Sequence, residues 1–193
     1  MKKLLIIFFI VVFVMFNLKG QVTKIGGGLG LSSGFPFHGQ TASANKSGVI
    51  ALSLKHIHQI KGPLLMSPSF YFFFPHVTET AYNRTSVTSM MFDINFQYVF
   101  NRLDRFELYG LAGPDFLVTW KIDKYEGSVT NKEKDRLFGI NLGIGTHAKV
   151  TNLLYVYGEA KYLYNNKYNQ FMLSAGVLLN LDWMKKHENA DLN

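Results

Sequence analysis

There is no cysteine among the 193 residues. An exported chain without it has neither a disulfide framework nor a lipoprotein acylation site, so its stability must come from strand pairing and burial. Long apolar runs are also missing. The longest, residues 4–16, covers 13 positions, short of the roughly 20 that a spanning helix needs. Every later candidate is broken by Gly, Asn, Asp or Lys. Phosphate-loop chemistry lacks its signature as well. Gly26, Gly27, Gly28 and Gly30 open no helix and are followed by no Lys-Ser/Thr pair at the required distance. Their plain reading is glycine that lets strands curl and pack. His56 and His58 share a strand face, but no third His or carboxylate stands at ligand spacing, so neither a metal nor a cofactor is expected.

What the chain does have is a front segment with the grammar of export. Lys2 and Lys3 precede the apolar run, and Leu18-Lys19-Gly20 supplies a small residue at the cut. Residues 1–20 therefore read as a cleaved signal peptide, leaving Gln21 as the new start. The formal charge of +7 includes Lys2, Lys3 and Lys19, so cleavage leaves +4. The remaining cations are scattered through loops beside Asp and Glu, which argues against nucleic acid. Acidic lipid head groups fit the excess better.

Behind the signal, side chains alternate with a period of two. Phe171, Leu173, Ala175, Val177, Leu179, Leu181 and Trp183 alternate with Gln170, Met172, Ser174, Gly176, Leu178, Asn180 and Asp182. Successive side chains of a strand point to opposite sides, so one face is greasy and the other small or polar. The pattern predicts eight strands, over 22–32, 48–57, 64–74, 87–100, 106–122, 137–150, 153–164 and 170–183. Their connections alternate: 33–47, 75–86 and 121–136 are long, whereas 58–63, 101–105 and 151–152 are short. The seventh, 164–169, is modest. Tight turns on one side and longer loops on the other, with an even strand count, describe an all-β, antiparallel, up-and-down transmembrane barrel with both ends periplasmic. The domain division is 1–20 signal, 21–183 barrel and 184–193 polar tail.

Alternation alone does not say which face is outside. Aromatics make up 15% of the chain, with 17 Phe and 10 Tyr, and an eight-stranded interior is only just wide enough for packed side chains. Turned inward, Phe70, Phe72, Phe92, Phe96, Phe116, Phe138 and their companions would overfill it. They are expected to face lipid, along with Ile50, Leu52, Leu54, Phe74, Met90, Ile94, Tyr98, Phe106, Leu108, Val118, Trp120, Ile140, Leu142, Ile144, Val156 and Tyr162. The enclosed polar network is expected from Lys24, Lys55, Asp93, Gln97, Glu107, Asp115, His147, Lys149, Glu159 and Lys161, with Ser53, Asn95, Asn141, Asn180, Asp182 and several glycines around it. Enclosed charges must be paired, because an unpaired one costs several kcal/mol. His147 and Lys149 are expected opposite Glu159 and Lys161. Pro68 and Pro114 each remove a ladder donor, so the expectation is either a bulge at Gly113-Pro114-Asp115, which would flip the facing of Phe116 to Ile122, or a strand end that projects beyond the membrane.

The opening Ile25-Gly26-Gly27-Gly28-Leu29-Gly30, the segment Leu108-Tyr109-Gly110-Leu111-Ala112-Gly113 and the closing strand resemble the small porin-like outer-membrane β-barrel family common in Bacteroidetes. The resemblance covers residues 21–183. It implies an integral outer-membrane protein folded by the barrel-assembly machinery, with no substrate and no known catalytic residues; the expected state is a monomer in contact with outer-membrane lipid and lipopolysaccharide. Many such barrels end on an aromatic residue, whereas here a polar tail follows Trp183. Two other readings remain open. The external loops carry Phe35, Phe37, His38, Tyr82, Arg84, Lys121, Lys124, Tyr125, Lys132, Lys134 and Arg136, a mixture suited to binding lipopolysaccharide or another surface. Ser32, Ser33, His38 and His76 near the same rim are what a lipid-modifying enzyme would use, though no nucleophile-elbow spacing accompanies them.

Overall fold

The computed structural model describes residues 22–33, 49–79, 81–165 and 169–182. The eight strands are β1 (Val22–Ser32), β2 (Val49–Lys61), β3 (Leu64–Glu79), β4 (Asn83–Arg102), β5 (Phe106–Tyr125), β6 (Ser128–Lys149), β7 (Leu154–Asn165) and β8 (Asn169–Asn180). Each pairs antiparallel with its sequence neighbour, and β8 returns to β1, closing the ring. Closure removes the free edge that an open sheet would carry along its length. The first and last strands run together, with Lys24 opposite Asn180, so the barrel's chain ends lie at the end that bears the short turns.

Long strands replace two of the expected loops. β3 and β4 continue to a tip at Tyr82, and β5 and β6 meet at Glu126-Gly127. Both turn residues have positive φ, 47° and 82°, the left-handed pair that a two-residue hairpin demands and that glycine satisfies without strain. Segments 75–86 and 121–136 are therefore paired β-hairpins projecting past the ring.

The prolines do not bulge the wall. Pro68 stands opposite Ile94, and Pro114 opposite Ile140 with Gly113–Asn141 and Asp115–Gly139 in unbroken register. The facing of Phe116 and Trp120 is therefore not flipped. Gly113 makes this possible: a Cβ there would lie 2.0 Å from the Ile94 carbonyl oxygen. At the far end, β8 stops at Asn180. Asp182 thus leaves the strand, its amide donating to Asn180 Oδ1 at 3.2 Å, and it takes no place in the wall. Trp183, residues 1–20 that were expected to form a signal peptide, and residues 184–193 lie outside the described residues.

Apolar side chains cover the outside. Along β6, Phe138, Ile140, Leu142 and Ile144 are 73, 64, 67 and 65% exposed, while their neighbours turn inward. Leu29, Leu31, Leu52, Leu54, Phe96, Tyr98, Phe106, Phe171 and Leu173 continue the belt around the ring. An apolar surface of this extent is far beyond what a monomer in water exposes.

Candidate functional site: a filled lumen and a projecting sheet

The inward positions stack in layers. Towards the hairpins lies an apolar layer of Ala51, Tyr71, Phe73, Met91, Leu117, Leu137, Leu163 and Met172. Towards the short turns lies a second, of Ile57, Leu65, Val99, Tyr109, Leu111, Tyr157 and Leu178. Polar side chains occupy the space between. Sequence reasoning expected a small or polar lumen and missed these inward rings. The signal was present, since Tyr71 and Phe73 alternate with Phe70, Phe72 and Phe74. The rings fit because glycines yield space opposite them. A Cβ on Gly145 would lie 2.6 Å from the Tyr109 ring, and one on Gly28 would lie 2.7 Å from Tyr157 Oη.

Two ion pairs cross the polar layer. Lys55 Nζ donates to Glu159 Oε1 at 2.5 Å and Lys161 Nζ to Asp93 Oδ2 at 2.5 Å, all four side chains being wholly buried. Both pairs span the lumen, because β2 and β4 are not neighbours of β7 in the ring. Glu159 Oε1 also accepts from Tyr109 Oη at 2.8 Å and Gln97 Nε2 at 3.3 Å. Lys161 donates as well to Tyr71 Oη at 2.9 Å. Charge-assisted bonds of this kind offset part of the cost of taking the ions out of water. Asp115 faces Asp93 across the β4–β5 ladder and lies over Gly139, where a Cβ would meet its carboxylate at 2.8 Å.

A separate cluster sits near the short turns. Glu107 pairs with Lys24 at 3.3 Å and with Arg102 at 3.4 Å, and His147 Nδ1 stands 3.6 Å from its carboxylate. His147 lies under the Tyr109 ring, with centroids 4.5 Å apart. The expected ladder between β6 and β7 does not form. His147 stands opposite Tyr157, and Lys149 opposite Tyr155, while Glu159 and Lys161 face Gly145 and Gly143. Lys149 ends its strand and joins no ion pair among the described residues.

The loop candidates divide. Phe35, Phe37 and His38 lie outside the described residues. Arg84, Lys124, Tyr125, Lys132, Lys134 and Arg136 stand on the projecting strands, with Tyr82 at a tip. Arg84 bonds Glu79 at 3.0 Å, Tyr82 and Tyr125 are 6.5 Å apart, and Lys134 lies over the Trp120 ring at 5.2 Å. Asp123 accepts from the Thr85 hydroxyl at 2.7 Å and pairs with Lys121 at 2.9 Å. Burial works to raise its carboxyl, and Thr85 and Lys121 together outweigh it, leaving the group below its usual value. Ser32 donates to Gln170 Oε1 at 2.6 Å, and Ser33 Oγ accepts from the Phe171 amide at 3.0 Å. Both serines thus tie β1 to β8. No group of three or more metal-ligating His, Asp or Glu side chains occurs among the described residues.

No protein-family profile matches the chain, and no curated relative does. Solved structures do match its fold. The crystal structure of Ail, the attachment invasion locus protein of Yersinia pestis, superposes with a TM-score of 0.59 at 13% identity, covering 83% of this chain and 99% of that one. The N-terminal β-barrel domain of Pseudomonas aeruginosa OprF gives 0.57 at 12% identity, covering 84% and 99%. Neisserial surface protein A gives 0.54 at 13%, covering 81% and 94%. The chain therefore has the eight-stranded antiparallel barrel fold of bacterial outer-membrane proteins.

Proposed function

We propose that this chain is an integral outer-membrane protein of a Gram-negative bacterium, without catalytic activity, whose barrel is a closed anchor for the sheet projecting beyond it. The observation that carries the reading is the pairing of an outward apolar belt with a lumen filled by two apolar layers around buried ion pairs. In water that arrangement is inside out; in hydrocarbon the closed ladders pair the backbone within the ring and the greasy face is solvated. The export signal, the chain ends at the short-turn side and the fold of the structural neighbours support a periplasmic location for both ends. Assembly by the barrel-assembly machinery, and a place within the porin-like Bacteroidetes family, belong to the same reading, as do a monomeric state and contact with outer-membrane lipid. The function is then structural or one of surface interaction, and solute passage is the weaker alternative because the lumen is occupied.

Reconstitution tests this. The chain should float with phospholipid vesicles and resist extraction at alkaline pH. In planar bilayers it should give no stepwise conductance. Recovery as a folded monomer without detergent overturns the membrane reading, and reproducible conductance steps overturn the closed lumen.

A further inference from the structure

The segment Lys132-Glu133-Lys134-Asp135-Arg136 alternates in sign residue by residue. On a strand, alternation in sequence becomes segregation in space. In β6 the three cations are exposed, whereas Glu133 and Asp135 are half-buried on the face that continues the lumen wall. The acids are engaged there. Glu133 accepts from Asn131 at 2.6 Å, and Asp135 accepts from the Arg136 amide at 2.9 Å. The cations stand on the outer wall, directly above Phe138 and Ile140 in the same row. Across the ladder, Arg136, Lys134 and Lys132 face Val118, Trp120 and Ile122, so no acid neighbours them from β5 on that face. Glu79, further round the projecting sheet, is taken by Arg84 at 3.0 Å.

We propose that this cationic row is a binding site for the phosphate groups of a multiply phosphorylated lipid in the leaflet that the projecting end enters. The inference rests on the membrane reading above and adds the ligand class and its residues. Position carries the argument. Alternate residues of a strand lie about 7 Å apart. With a strand tilt of roughly 40°, the row climbs about 10 Å beyond the apolar belt. The headgroup zone is about 5–8 Å deep on each side, since the roughly 30 Å hydrocarbon core becomes about 40–45 Å with both interfaces included, so Arg136 and Lys134 fall within it and Lys132 stands at its outer edge. Arg136 meets the edge of the hydrocarbon, where long basic side chains reach outward to phosphate. Trp120 sits under Lys134, at the level where amphipathic rings settle. A lipid with several phosphates can span neighbouring rungs, which a free phosphate ion cannot.

The protein contains two tryptophans, so Trp183→Phe leaves Trp120 as the sole reporter. That chain, reconstituted into phosphatidylcholine vesicles, is titrated with lipid A carrying a fluorescent acceptor, reading energy transfer from Trp120. Transfer should saturate at a low lipid fraction, weaken with added salt, and persist in the presence of inorganic phosphate. K132Q/K134Q/R136Q should raise the half-saturating fraction about 100-fold, at roughly fivefold per cation near an anionic surface. E133Q/D135N, on the opposite face, removes negative charge and should not raise it. An unchanged midpoint in the triple variant overturns the site, as does equal loss in the acidic pair. Transfer indistinguishable from that to an acceptor-labelled phosphatidylcholine also overturns it. Failure to enter neutral vesicles at all strikes the membrane reading itself, whereas insertion without lipid A preference strikes this inference alone.

Discussion

Lys55 has no water to return to. Its ammonium is wholly buried against Glu159, 104 positions away in the chain. Removing one member of such a pair leaves an uncompensated charge in a low-dielectric interior. Lys55→Met is therefore expected to lower the unfolding free energy by about 3–5 kcal/mol, measured by urea titration in phospholipid vesicles. K55M/E159Q should recover more than half of that, because a neutral amide oxygen still accepts from Tyr109. Equal losses in the single and double variants would contradict the buried pair. The inward facing of Lys55, Asp93, Glu159 and Lys161 was legible from parity. Their pairing was not, because it depends on which strands face each other across the closed ring. Reading adjacent strands alone put His147 and Lys149 against Glu159 and Lys161, where the register places Tyr157 and Tyr155 instead.

The projecting hairpins were the part of the chain least legible as strands. Their composition is charged and small, which reads as loop, yet β5 and β6 stay paired up to Tyr125 and Ser128. The only local hint was Glu126-Gly127, a turn pair of the kind that joins two strands directly. Asp123 ties this sheet to β4 through Thr85, and its carboxyl lies below the usual value. A lowered carboxyl adds stability that is present above its unfolded value of about 3.9 and is lost as pH falls through the folded value. Amide exchange at Thr85 and neighbouring hairpin positions should thus be slow at neutral pH and quicken below about pH 4. Asp123→Asn should flatten that dependence. A wild-type tip whose exchange showed no such acid-side change, beyond the intrinsic pH effect, would count against the bond.

Leu142 stands in the middle of the exposed row on β6, at 67% exposure. At such a position on a soluble protein a lysine is nearly neutral. In a lipid-facing wall, Leu142→Lys should cost about 2–4 kcal/mol near the midplane, and Phe106→Lys near the rim only about 0–1. Folding titrations in vesicles read both, and equal, negligible losses would place the belt in water. The same belt explains why glycine and tyrosine share the lumen. With large apolar groups turned out, the narrow interior is filled by a few rings packed over Gly28 and Gly145 and by ions held between them.

The sequence by itself determined the eight-strand alternation, the direction each parity faces and the division into tight turns and long connections. These follow from a two-residue period and from how many aromatics a narrow cylinder can hold. Only the tertiary structure decided that Pro114 breaks no register, that two long connections are paired strands, and that Lys55 meets Glu159 across the lumen. Each of these depends on stagger and closure, which are properties of eight strands together. The charge alternation at 132–136 was visible from the start, but a loop would have mixed its signs and only a strand separates them.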